Sequence, residues 1–299
     1  MNIREQIEAN KADLVLKEFG NGLRVLKYRR HVFYDATWNE FLRECRGLVI
    51  DQDYNVVTLP FKKIHNYGIE ADAPEFAYNE MVFASRKVNG FMIAVTWYNN
   101  DLLWSTTGSI DSEFVGYAKE IYEQQINDGE FRTRIKANPT ETFLFECVHP
   151  ADPHIVPEEA GLYFLGSRAH DFSSKVELMM ASAEEVYWKG TGVKIVETQF
   201  IEHGKLMEQL KTVQHEGFVF ESLDGSRVSK CKSPHYLAKK FLMRGNWQKF
   251  CNAKNRFELA EEFYPIFSYI REVEGDRFFE MDEIARREWI EHFFWSQVK

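Results

Sequence analysis

The sequence is short of the residue patterns that mark metal-stapled, disulfide-stapled or membrane proteins. It has four cysteines, Cys45, Cys147, Cys231 and Cys251, and none of them forms a Cys-x-x-Cys pair. Its nine histidines show no zinc-like spacing. A structural zinc is therefore not expected, and reduced thiols are the default. No run of about twenty apolar residues occurs, so no transmembrane helix and no membrane partner are expected. The opening stretch MNIREQIEANKADLVLKEFG carries charges throughout and lacks an apolar signal core. The expectation is a cytoplasmic soluble protein, in the host cytoplasm if the source is viral. There is no excess of positive charge either: 37 Lys and Arg against 46 Asp and Glu give a net charge of −9. That argues against wholesale coating of nucleic acid, but it leaves room for a local basic groove. No internal repeat, low-complexity tract or disorder-like composition is present.

What is present is the material of a large core. Of the 299 residues, 44% are hydrophobic and 15% aromatic, enough for one large domain or a large one with a small one. The patterning predicts a short helix in 1–20 and a strand or loop with the basic cluster KYRRH in 22–34. It predicts strands over 46–51 and up to Leu59, and a three-strand meander over 80–86, 91–98 and 102–107. A helix is expected over 111–126 with Asp111 as its cap and Phe114, Tyr117, Ala118, Ile121 and Tyr122 on one face. Strands follow at ETFLFECV, LYFLGSRA and VKIVETQFI, with short helices near 182–189 and 204–213. EGFVFESLDGSRVSKCKS reads as a hairpin turning at Asp224-Gly225. After Tyr236 the strand signals stop, and helical periodicity rich in Phe, Lys, Glu and Arg takes over. The expected division is 1–240 and a helical segment 241–299.

One stretch asks for more than structure. SRKVNGFMIAV places Lys87 at the end of an apolar run, followed by Asn89-Gly90 and a second apolar run. A surface hairpin needs only Asn-Gly. A lysine amine is nucleophilic when deprotonated, which burial or neighbouring cations favour, and glycine lets the backbone approach a ligand closely. Other residues fit the same chemistry. Glu146 and Glu216 are carboxylates at strand ends, Lys230 and Lys232 alternate along one strand and so share a face, and Arg46 opens a strand. Carboxylates that hold a divalent metal, cations that neutralise phosphate oxygens and an attacking amine are the parts of phosphoryl or nucleotidyl transfer.

The order Arg-Gly, Phe-x-Lys-x-x-Asn, Lys-x-Asn-Gly, a hydrophobic strand ending in Phe-Glu, Glu-Gly-hydrophobic and Lys-x-Lys resembles the covalent nucleotidyltransferase superfamily. Within it the chain is most similar to the phage-type RNA ligase 1 family, over roughly residues 40–240, and Gly108-Ser109-Ile110 with Ser112-Glu113 adds to the likeness. The resemblance implies an α+β fold. An antiparallel-sheet nucleotidyltransferase domain with an ATP-grasp-like cleft would span 1–240, and a small C-terminal all-α module would span 241–299. It implies that Lys87 attacks the α-phosphate of ATP and becomes a lysyl-AMP. Glu146 would contact the ribose and Glu216 would bind metal, Mg²⁺ or Mn²⁺. Lys230 and Lys232 would hold the phosphates, and Arg46 would lie near phosphate or ribose. Lys63 and Asn66 match a Lys-Phe-Phe-Asn-like element, Arg168 a basic residue of the intervening strand, and Asn89 and Gly90 complete the nucleotide-binding set. The implied activity is ATP-dependent joining of RNA 5′-phosphate and 3′-hydroxyl ends in RNA repair, with tRNA among the candidate substrates and a monomer as the working form.

The chain departs from the family at three points. Asn89 stands where Asp is usual, a form that resembles fungal-type tRNA ligases. Ile64-His65 replaces an aromatic pair, and Ser105-Thr106-Thr107 lies where a lysine is frequent. Competing readings stay open. Glu146 could serve a structural salt bridge, and the Lys230/Lys232 pair could protect an edge strand. Arg46 could pair with Glu44 or Asp51, and one of Lys62 and Lys63 could be merely solvated. LAKKFLMRGNWQKF could contact RNA or pack its aromatics as an ordinary helix. At the level of function, DNA ligation, GTP-dependent capping and a catalytically silent nucleotide- or RNA-binding protein are the alternatives. The first two usually carry an OB-fold, for which no strand pattern is seen after residue 240.

Overall fold

The computed structural model describes residues 2–173, 181–244, 253 and 259–298. The chain begins with α1 (Ile3–Ala9), the strands β1 (Leu14–Glu18) and β2 (Arg24–Tyr28), and the short helices α2 (Arg30–Tyr34) and α3 (Glu40–Glu44). Strands β3 (Arg46–Ile50), β4 (Val56–Thr58), β5 (His65–Asn66), β6 (Met81–Arg86), β7 (Phe91–Tyr98) and β8 (Asp101–Ser105) follow. Helices α4 (Glu113–Gln125) and α5 (Asp128–Ala137) precede β9 (Glu141–Val148), β10 (Gly161–Ala169) and α6 (Ala181–Trp188). Then come β11 (Lys194–Ile195), β12 (Thr198–Glu202), α7 (His203–Leu210), β13 (Gly217–Ser222), β14 (Val228–Lys232) and α8 (Pro234–Arg244). The rest of the described chain is helical: a 3-10 turn at Glu261–Phe263, α9 (Tyr264–Tyr269), a π turn at Ile270–Glu274, α10 (Asp276–Glu280) and α11 (Glu283–Ser296). The fold is α+β with mostly antiparallel sheets and a helical C-terminal region. No described helix is long and apolar enough to cross a membrane.

The chain forms two compact units. The first comprises Met1–Lys63, Gly90–Pro153 and Glu158–Glu197, and the second Ile64–Asn89, His154–Pro157 and Thr198–Lys299. In the first, β1-β2-β3-β4 make one sheet and β11-β10-β9-β7-β8 another. Strand β9 shows why the second sheet forms. Phe143, Phe145 and Cys147 alternate toward a core completed by Ile121 of α4, Phe131 and Ile135 of α5 and Trp188 of α6. Thr142, Leu144 and Glu146 consequently fall on the other face of the strand. In the second unit the sheet order is β12-β6-β13-β14-β5. Val82 and Ala84, Phe218 and Phe220, and Cys231 point from three neighbouring strands to a core shared with Leu206, Met207 and Leu210 of α7. A separate helical core gathers Tyr236, Leu237 and Phe241 with Phe263, Ile266, Phe267, Phe293 and Phe294.

The hairpin over 217–232 forms as predicted, with antiparallel register Gly217↔Lys232 to Glu221↔Val228 and Gly225 at φ 63° in the turn. Several expectations are corrected, among them the single strand at VKIVETQFI, which forms as β11 in the first unit and β12 in the second. Only the second half of the meander over 80–107 forms: β7 and β8 pair with each other in the first unit, whereas β6 pairs with β12 and β13 in the second. Lys87-Val88-Asn89-Gly90 therefore joins two sheets and is no hairpin turn. The first helix ends at Ala9, because Leu14–Glu18 pairs with β2 instead. The N-cap position of α4 is Ser112, whose side chain makes no cap bond, and Asp111 accepts from Ser109 and faces Lys17; the helix buries Val115, Ala118 and Ile121, while Phe114 is exposed. In LAKKFLMRGNWQKF, Leu237, Ala238 and Phe241 are buried, as in an ordinary packed helix, and 245–250 lie outside the described residues. Cys45, Cys147 and Cys231 are free, buried thiols, and Cys251 lies outside the described residues.

Gly217 cannot be another residue. Its φ of +141° is one that L side chains rarely adopt, and an added Cβ would sit 2.0 Å from the Cys231 carbonyl oxygen. Gly217→Ala is expected to cost about 3 kcal/mol of stability, read as a fall in the denaturant midpoint. An unchanged midpoint would contradict the tight β13–β14 approach.

Candidate functional site

In the second unit the register puts the key residues in a row. The Lys87 backbone N–H donates to the Gly217 carbonyl at 2.8 Å, and Gly217 is the register partner of Lys232. The apolar residues of β6, β13 and β14 take the face toward α7. Gly217, Lys230 and Lys232 therefore fall on the opposite face, as their alternation in the sequence predicts.

Glu216, directly before β13, is the buried anion of this face. Lys87 Nζ lies 2.9 Å from its Oε2 and Lys232 Nζ 3.7 Å from its Oε1. Asn89 Nδ2 donates to the same Oε2 at 2.9 Å and to the Tyr236 hydroxyl at 3.3 Å, and Asn89 Oδ1 accepts from the Val156 N–H at 3.4 Å. Burial alone would raise the Glu216 pKa, but the Lys87 and Lys232 ammonium groups outweigh it and hold the carboxyl below its ordinary 4.5. Burial and the Glu216 carboxylate push the Tyr236 phenol up to about 12, so it stays neutral.

A second acidic layer follows. Lys232 Nζ is 3.1 Å from Glu262 Oε1, and Lys240 of α8 reaches the same oxygen. Burial alone would raise the Glu262 pKa, yet Lys232 and Lys240 hold it far below the usual carboxylate range. Lys230 Nζ lies 3.8 Å from Glu261 Oε1, to which Asn66 Nδ2 donates at 2.5 Å. Asn66 also donates to Glu70 at 2.8 Å, and His65 Nδ1 meets the other Glu70 oxygen at 2.7 Å. His65 is thus an anchored, buried polar group.

In the first unit, Glu146 accepts from the Gly90 backbone N–H at 3.1 Å. An added Cβ at Gly90 would lie 2.3 Å from the Cys147 carbonyl oxygen. The glycine of Lys-x-Asn-Gly is needed for this close approach. Lys63 is buried, with its ammonium 4.6 Å from the Phe33 ring centroid and 5.8 Å from that of Trp38, a cation–π site. Lys62 is the more solvated of the two and pairs with Glu44 at 3.2 Å. Arg46 is half-buried at the head of β3 and makes no side-chain hydrogen bond or ion pair among the described residues. Glu44 and Asp51, its candidate partners, are engaged elsewhere, Glu44 by Arg168 and Lys62 and Asp51 by the turn amides of Asp53 and Asn55.

Arg168, another nucleotide-binding candidate, is engaged in a buried ion pair. It is 1% exposed, and both of its terminal nitrogens bind Glu44, at 2.6 and 2.9 Å, with the Pro60 carbonyl at 2.8 Å. This bidentate pair occupies both terminal nitrogens of the buried guanidinium.

A family model described as RNA ligase matches residues 44–243. The chain belongs to the phage-type RNA ligase 1 family. Solved structures of similar fold include two forms of an archaeal ATP-dependent RNA ligase. Each has 13% identity and covers 98% of this chain and 76% of that one, with TM-scores of 0.61 and 0.59. A putative ATP-dependent DNA ligase from Aquifex aeolicus has 17% identity and a TM-score of 0.57, covering 99% of this chain and 78% of that one. These likenesses show the ligase nucleotidyltransferase fold. No curated protein matches the chain.

At position 89 the chain presents an amide that donates to Glu216, where an Asp carboxylate would oppose it. Glu261, Glu262, Tyr236 and Lys240 were not legible as site neighbours. Of these, only Lys240, in a lysine-rich helix, carried any signal. For a divalent metal, no group of three or more His, Cys, Asp or Glu forms a cage among the described residues. One ionised, buried carboxylate, Glu216, suits an ion such as Mg²⁺ or Mn²⁺ that completes its shell with phosphate oxygens and water.

Two outcomes follow. Arg168→Ala leaves Glu44 buried against Lys62 alone and is expected to cost about 3–5 kcal/mol in denaturant unfolding, whereas Arg46→Ala stays within about 0.5 kcal/mol of the wild type. Because the folded-state pKa of Glu216 is depressed, its contribution is fully present above pH 4.5 and is lost as pH falls below that value. Glu216→Gln should therefore be less stable than wild type at pH 6, by about 2 kcal/mol, and the gap in Tm should narrow toward pH 3.

Proposed function

We propose that this RNA ligase family member is an ATP-dependent RNA ligase that works through a covalent lysyl-AMP on Lys87. The observation that carries the reading is the Lys87 amine 2.9 Å from the ionised Glu216, with Asn89 on the same oxygen and Lys232 on the other. An amine so held is positioned before substrate arrives, which is where much of the barrier is removed.

In the first step the Lys87 Nζ lone pair attacks the α-phosphorus of ATP. A phosphorus–nitrogen bond forms and pyrophosphate leaves with the electrons of the broken phosphoanhydride bond. Glu216 is the nearest acceptor for the ammonium proton that must be released first. Lys230 and Lys232 neutralise phosphate charge, Arg46 and Lys63 add cations at the nucleotide, and Glu146 contacts the ribose while its bond to the Gly90 N–H fixes the backbone beside the nucleophile. In the second step a 5′-phosphate oxygen of RNA takes AMP from Lys87. In the third, a 3′-hydroxyl attacks that 5′-phosphate, a phosphodiester forms and AMP leaves. A divalent cation, Mg²⁺ or Mn²⁺, held at Glu216 would supply charge neutralisation on the phosphates. RNA repair, with a nicked tRNA among the candidate substrates, a cytoplasmic setting and a monomeric form complete the reading. Residues 1–240 would carry the chemistry and 241–299 would support it.

Incubation with α-labelled ATP and Mg²⁺ is expected to leave label on the denatured wild-type protein, and Lys87→Ala should reduce it to background. Label from GTP alone would move the reading to capping chemistry. Absence of label from either nucleotide, with folded protein free of pre-bound AMP, would leave a nucleotide-binding protein without the transfer step.

A further inference from the structure

The cations assigned above to phosphate are already occupied by the chain's own carboxylates. Lys232 and Lys240 converge on one oxygen of Glu262, and Lys230 and Asn66 meet one oxygen of Glu261. Glu262 is buried at 4% exposure, on a 3-10 turn that follows Ala260. The adjacent Phe263 anchors that turn in the helical core against Phe241 and Phe294. Lys232 and Lys240 also lie 5.4 and 5.7 Å from the Tyr236 ring centroid. Three ammonium groups and an amide thus converge on two carboxylates, the donor set that polyphosphate oxygens require.

We propose that Glu261-Glu262 is an internal mimic of the triphosphate that closes this cation set in the free protein, and that Lys240 is a further phosphate-binding residue uncovered when the mimic leaves. The reasoning is electrostatic. Lys232 and Lys240 are like charges brought to one point, and Glu262 is the anion that compensates them. A polyphosphate carries more charge and more acceptor oxygens, so it can replace both carboxylates, but each molecule bound must displace them. Affinity is lowered by the cost of that displacement. The 259–263 segment would thereby report to the lysines whether nucleotide is present. This inference rests on the assignment of Lys230 and Lys232 to phosphates.

The test is calorimetric titration with inorganic tripolyphosphate, which cannot adenylate Lys87, of the full chain and its Glu261→Gln, Glu262→Gln, Lys240→Ala and Lys230→Ala/Lys232→Ala variants. Alongside it, hydrogen exchange of the wild type is followed over 259–270 with and without tripolyphosphate. Tighter binding by both glutamine variants, of about tenfold, weaker binding by Lys240→Ala, and faster exchange at 259–263 on ligand binding are expected. Glutamine variants that bind no tighter, or protection at 259–263 that survives saturation, would overturn the mimic even if Glu262→Gln folds poorly, since the exchange measurement uses the wild type. In either case, loss of binding in Lys230→Ala/Lys232→Ala would leave the phosphate assignment standing. No binding by any form would overturn both.

Discussion

Everything proposed for this chain depends on one buried carboxylate. Glu216 is placed by the turn into β13, and it is ionised only because Lys87 and Lys232 reach it from the strands on either side. An isolated carboxylate in that position would be neutral, and two isolated ammonium groups would repel each other or stay in water. The three charges are therefore mutually dependent. They also exist only in the β6-β13-β14 register, since a one-residue slip would turn Lys230 and Lys232 into the core beside α7. The ion cluster and the apolar face specify the same register from opposite sides of the sheet.

The polar residues beside the cluster extend this dependence. Asn89 ties Glu216 to Tyr236 at the head of α8, so the helix that follows the last strand is joined to the nucleophile's surroundings by one amide. Tyr236 in turn lies near both Lys232 and Lys240. A substitution in this set changes several partners together, and pairwise energies would not add.

Much of this was legible in the sequence, and the rest was not for identifiable reasons. The 217–232 hairpin was plain because two β-rich arms flank the Asp224-Gly225 turn. The shared face of Lys230 and Lys232 followed from the two-residue period of a strand. The link at Lys87–Gly90 misled because Asn-Gly is a strong local hairpin signal, yet β6 pairs with β12 and β13, and β7 pairs with its neighbour β8 and with β9. Helix α5 went unseen because DGEFRTRIKA offers only Phe131 and Ile135 to a core. The Arg168–Glu44 pair, 124 residues apart, and the Glu262 contacts to Lys232 and Lys240 have no local signature at all.

Two of the cysteines beside site residues have a chemical meaning of their own. Cys147 follows Glu146, and Cys231 lies between Lys230 and Lys232. A thiolate is an intrinsically stronger nucleophile than an amine and could compete for an activated phosphoryl group. Both thiols face apolar cores, and burial pushes each up to about 12. The alternation of the strand thus keeps sulfur protonated and out of reach while it presents nitrogen and oxygen on the other side. Chemoselectivity for a lysine, in this protein, is a by-product of strand geometry.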